Sequence, residues 1–137
     1  MWWIYALLSA IFAALVAIFA KIGMRGVDSD LATAIRTIVI LVLAWSIVYF
    51  KGGIGGLQSL TKVNWLFLVL SGLATGASWI FYFRALQIGK VAQVAPIDKL
   101  SVALAIILSV VFLGETLTLK MFIGAALIIV GTFVLIL

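Results

Sequence analysis

The chain has 137 residues, of which 67% are hydrophobic and only 9% charged, with a mean hydropathy of +1.43. A soluble domain could not hide that much apolar surface, so lipid is the solvent that this composition requires. The net charge of +5 comes from nine Lys and Arg scattered singly around apolar blocks, as in loops that orient a membrane protein; with no basic patch interleaved with aromatics, nucleic acid is excluded as a partner.

The first hydrophobic block, Trp2–Ile22, opens on Met1-Trp2-Trp3 with no positive flank, and its apolar stretch runs to Ala20. That exceeds the core of a signal peptide, so the block is expected to be a retained span. It offers Ser9, Ala13 and Ala17 at four-residue spacing, beside Ala6, Ala10 and Ala14. Small residues in such columns let helices approach closely in lipid.

The second block is Leu31–Phe50. Its uncharged part, Thr37–Phe50, is too short to cross roughly 30 Å of hydrocarbon, so Arg36 must lie about a turn inside the helix. Arg36 either snorkels to the interface or serves a substrate.

The third block, Trp65–Leu86, contains Gly72 and Gly76 as a GxxxG packing motif. Further on, Trp79, Tyr82 and Phe83 share one helix face at i, i+3 and i+4, just before Arg84. That face suits either a cavity wall for an amphipathic solute or an interfacial aromatic belt. Trp79 lies too deep for the belt and is the stronger cavity candidate, whereas Tyr82 fits both.

The fourth block follows from length. The apolar run Leu100–Leu113 has 14 residues, against the roughly 20 that a spanning helix needs. The helix must therefore start near Val91 and take Pro96, Asp98 and Lys99 into the membrane. Pro96 removes a backbone donor, and the carbonyls it frees need partners or water. Asp98 and Lys99 are about 100° apart on a helix and are not expected to face one partner. Arg36, Arg84 and Lys21 are the candidate mates for Asp98, which is either a coupling acid or half of a structural ion pair.

Glu115 follows Gly114 in a tight connection and is expected to place negative charge at the start of the last helix. That block, Thr118–Leu137, carries Gly124 and Gly131 seven residues apart, a spacing for left-handed helix contact. The expected class is thus an all-α integral membrane protein, one domain over residues 1–137 with spans near 2–22, 31–50, 65–86, 91–113 and 118–137.

Five spans put the termini on opposite sides. The face after the first and third spans holds Lys21, Arg25, Arg36, Arg84, Lys90 and Lys99, and the other holds Lys51, Lys62 and Lys120. Setting aside the embedded Arg36 and Lys99 leaves four against three, a bias weak enough to permit insertion both ways up. Cysteine and histidine are absent, and the only carboxylates are Asp28, Asp30, Asp98 and Glu115. Disulfides, thiolate chemistry, common zinc sites and His-based catalysis are excluded. No enzyme activity, metal or cofactor is expected.

Several tracts carry a likeness: Ala34-Ile35-Arg36, Ala85-Leu86-Gln87-Ile88-Gly89, Val94-Ala95-Pro96-Ile97, Phe112-Leu113-Gly114-Glu115-Thr116-Leu117-Thr118, Ile123-Gly124-Ala125 and Gly131. Together they resemble the EamA domain of the drug/metabolite transporter superfamily, over nearly the whole chain. The resemblance implies a five-helix repeat unit, usually fused to an inverted second copy, that moves small metabolites across the plasma or cell inner membrane. With one copy here, an antiparallel homodimer in the lipid bilayer is the expected carrier. The alternative is a non-transporting scaffold, or a subunit that needs an unlike partner. The chain departs from the family at Ser101, often a second proline there, and in the Asp98-Lys99 pair. The related small multidrug-resistance exporters use a buried glutamate in the first helix. Trp2–Ile22 has no acid, so the basic residues would sooner suit a solute bearing a carboxylate.

Overall fold

With no water to satisfy exposed backbone groups, a chain in lipid must close its hydrogen bonds within each segment or in a barrel. The computed structural model describes Met1–Leu137 and takes the first course, with helices and no strands. The elements are α1 (Trp2–Gly23), α2 (Ser29–Phe50), a 3₁₀ helix (Gly53–Ser59), α3 (Lys62–Ile88), α4 (Val91–Asp98), α5 (Leu100–Leu113) and α6 (Leu119–Ile136). Five stretches are long and apolar enough to cross a membrane: α1, α2, α3, the joined Val91–Leu113 and α6.

The helix ends follow local chemistry. α2 starts at Ser29 because Asp28 holds the N-cap position, its Oδ1 accepting from the N–H of Asp30 at 2.9 Å and of Leu31 at 3.1 Å. This satisfies two of the donors that a helix start leaves open. α3 outruns its apolar block at both ends, from Lys62 to Ile88. α5 ends at Gly114, whose φ of 67° is the left-handed conformation that closes many helices. The N–H of Gly114 and of Glu115 both turn back to the carbonyl of Ser109. Glu115 is not in the first turn of α6, as its charge suggested. Thr118 caps that helix instead, its side chain accepting from the Met121 N–H at 3.3 Å.

The fourth span is broken where proline predicts. Pro96 lies inside α4, and Lys99 ends α4 and begins α5 with φ −71° and ψ −10°. Its N–H reaches the carbonyls of Ala95 at 3.3 Å and Pro96 at 3.0 Å. The turn therefore tightens toward 3₁₀ geometry before the α-helix resumes.

Two compact units emerge: Met1–Ile18 with Ile88–Leu137, and Phe19–Gln87. In the first, α6 packs on α4 and α5, with Ala103 and Thr132 buried. In the second, the last turn of α3 is the anchor, with Phe83 2% and Leu86 0% exposed. Lys21 donates to the carbonyls of Leu86 and Gln87 there, and the Gln87 amide donates to the Val27 carbonyl at 2.7 Å. A cation on the last carbonyls also complements the helix dipole. Most large side chains elsewhere along the helices are exposed, as spans solvated by lipid must be.

Candidate functional site

Within the unit Phe19–Gln87, α2 and α3 leave an open cleft of about 800 Å³ between them, in the range of small-molecule sites. Sequence spacing explains its lining. Asp30, Thr33, Ala34 and Thr37 recur along one face of α2, while Gly72, Thr75, Gly76 and Trp79 do so along α3. Thr33 donates to the Ser29 carbonyl at 2.7 Å, Thr37 to that of Thr33 at 2.8 Å, and Thr75 to that of Ser71 at 2.9 Å. With their protons spent within the helix, these hydroxyls offer acceptor lone pairs.

Trp79 lines the cleft, and Tyr82 does not. The Tyr82 ring meets Phe83 edge-on, with centroids 5.3 Å apart and planes at 66°. Phe83 is buried in the anchor of α3. Although Trp79, Tyr82 and Phe83 share a face by spacing, the structure gives them different tasks. Gly72 and Gly76 form part of the cleft wall, and a Cβ at either would meet no atom within 4 Å. Gly124 and Gly131 on α6 are equally open.

Two charged groups flank this part of the molecule. Arg84 Nη2 lies 2.8 Å from Asp30 Oδ2, each side chain about half exposed. The guanidinium carbon of Arg36 sits 3.9 Å above the centre of the Phe83 ring. Arg36 Nη1 is shut off from solvent and donates to no group.

Asp98, Lys99 and Pro96 belong to the other unit and form a group of their own. Lys99 Nζ lies 3.2 Å from Asp98 Oδ2. The pair sits at the junction of α4 and α5, where Lys99 ends one helix and begins the other. Of the mates considered for Asp98, Arg84 is paired with Asp30 and Lys21 holds the end of α3. The Pro96 carbonyl gains a partner from α6, the Thr132 hydroxyl at 3.2 Å.

Sequence reasoning missed Asp30, Thr33, Thr37, Ser71, Thr75 and Thr132. Hydroxyls four apart in two apolar spans were a signal for the cleft. A lone threonine in the run Ile128–Leu137 carried none for Pro96.

Residues 1–137 match the EamA-like transporter family. The chain is similar to an uncharacterised transporter encoded in the cobO 3′ region of a Sinorhizobium species, 52% identical over 134 residues, which cover 98% of this chain and 95% of that one. It is also similar to an uncharacterised protein of Methanocaldococcus jannaschii, 35% identical over 69 residues, half of each chain. No solved structure matches.

Proposed function

Because the chain belongs to the EamA-like transporter family, we propose that it carries small organic metabolites by alternating access, as an antiparallel homodimer in the plasma or cell inner membrane. As a multi-pass membrane transporter it needs a path for solute through lipid. The observation that carries the proposal is the cleft between α2 and α3, where hydroxyls, Trp79 and Asp30 interrupt two otherwise apolar spans. Hydroxyls and a carboxylate along an opening whose lining is otherwise apolar are costly in a protein that only holds its place in a bilayer.

Carriers of this architecture work through two inverted halves that rock about a midplane site. One five-helix unit supplies one half, and the near-balanced loop charge allows a second copy to insert the other way up. The Sinorhizobium relative is itself covered over 95% of its length by this single unit. No covalent step is assigned, and substrate and lipid are the only partners besides the second copy.

The natural absence of cysteine makes the test direct. A single cysteine introduced at Leu137 is labelled in intact cells and again after permeabilisation with a membrane-impermeant maleimide. Labelling of about half of the molecules in intact cells is the expected result; labelling of all or none overturns the antiparallel homodimer. Solute counterflow in proteoliposomes tests transport itself.

A further inference from the structure

We propose that Arg36, backed by Phe83, is an anchor for an oxyanion, the carboxylate or phosphate of an organic molecule whose body occupies the neighbouring cleft. For a transported solute this rests on the carrier function proposed above and narrows its substrate to organic anions. Arginine keeps its charge in any protein environment, and a cation within a membrane span pairs with a counter-charge, with backbone carbonyls or with water. The unit Phe19–Gln87 contains two carboxylates, Asp28 and Asp30. Asp28 caps α2, and Asp30 is bound to Arg84. Neither serves Arg36.

The geometry separates this arginine from a snorkelling one. A snorkelling side chain runs its stem to the interface and leaves its head in water. Arg36 instead lays its head on Phe83, with Nη1 closed off from solvent and unused as a donor. The ring covers one face of the guanidinium and attracts it electrostatically, which leaves its edge and its other face for a ligand. Carboxylate and phosphate fit the edge with two parallel hydrogen bonds. Arg36 and Phe83 lie beside the cleft and do not line it; Thr33 and Trp79, which do, precede them by three and four residues on the same helices.

The test uses purified full-length protein in a non-ionic detergent and reads the unfolding temperature against phenylacetate, phenyl phosphate and the neutral phenylacetamide. Saturable protection by the oxyanions and none by the amide is expected. R36Q should weaken the apparent affinity at least tenfold, and R36K, which keeps charge but loses the fork, should fall between. If R36Q does not fold, R36K decides, and an unchanged affinity in it overturns the proposal. Phosphatidylglycerol in mixed micelles forms a second arm. Protection by that lipid alone, lost in R36Q, assigns the same oxyanion site to a headgroup. Equal protection by the amide, no protection by any oxyanion, or dissociation of a dimer by R36Q with oxyanions inert overturns the proposal. Counterflow separates the two readings. Exchange of neutral or cationic solutes unaffected by R36Q leaves the carrier standing and removes the anion anchor. Arg36-dependent protection with no exchange of any solute leaves the anchor and removes the carrier.

Discussion

The Thr132 hydroxyl on α6 stands 3.2 Å from the carbonyl oxygen of Pro96 on α4 and 2.8 Å from that of Ile128 in its own helix. One proton is thus shared between an intrahelical bond and the helix that proline has weakened. Thr132→Val keeps the shape and removes the hydroxyl. It should cost about 0.6 kcal/mol, the average for interhelical hydrogen bonds in membrane proteins, read as a lower unfolding temperature in detergent. Thr132→Ser should keep most of the stability. If serine destabilises and valine does not, the methyl group's packing is what matters.

That contact also marks how far the sequence could be read. The five spans follow from length and composition, because lipid leaves a chain few ways to satisfy its backbone. The break in the fourth span was legible from Pro96, since a ring without an N–H cannot continue the ladder. The meeting of Asp98 with Lys99 was not, because the 100° separation places two helix positions and does not record the reach of a long lysine side chain. Arg36 was legible as an embedded charge, whereas its seat on Phe83 depends on how α2 and α3 are splayed, which no periodicity records. Sequence reasoning placed the negative charge of Glu115 at the start of α6, whereas Glu115 lies three residues before Thr118, the N-cap whose hydroxyl bonds to a helix N–H.

Asp30 and Arg84 form the unit's link between the start of α2 and the end of α3, at 2.8 Å with each side chain half exposed. Exposure decides its energetic weight. A pair so placed is screened and entropically costly to hold, so a double-mutant cycle with Asp30→Asn and Arg84→Gln should give a coupling below about 1 kcal/mol. The coupling should shrink further between low and high salt. A value of several kcal/mol, insensitive to salt, would show that the pair is desolvated in the bilayer.

Removing the cap of α2 should be costlier than breaking that ion pair. Asp28→Ala leaves the N–H groups of Asp30 and Leu31 without the acceptor they have now, a loss of about 1 kcal/mol. Asp28→Asn keeps an acceptor oxygen and should be close to neutral. Hydrogen exchange at the first turn of α2 checks this, with faster exchange expected in the alanine variant alone. Equal exchange in both variants would mean that charge, not the hydrogen bond, holds this terminus.

The open glycines separate two roles that one motif name conflates. Gly114 has φ +67°, and a Cβ there meets nothing within 4 Å, so Gly114→Ala should cost about 1–2 kcal/mol from left-handed backbone strain alone. Gly72, Gly76, Gly124 and Gly131 have space around them without that strain, so filling the space tests what occupies it. Gly72 and Gly76 line the cleft, and Gly72→Leu or Gly76→Leu should abolish solute exchange while self-association in detergent is unchanged. Gly124 and Gly131 lie seven residues apart on α6 with nothing within 4 Å of a Cβ at either, and in the proposed homodimer that spacing suits contact with the second copy. Gly124→Leu and Gly131→Leu should lower the dimer affinity by about tenfold, the roughly 1.4 kcal/mol that lost close packing represents. Sedimentation in density-matched detergent measures it. Nothing in the protomer lies within 4 Å of a Cβ at either position, so an unchanged dimer in both variants would place the interface elsewhere.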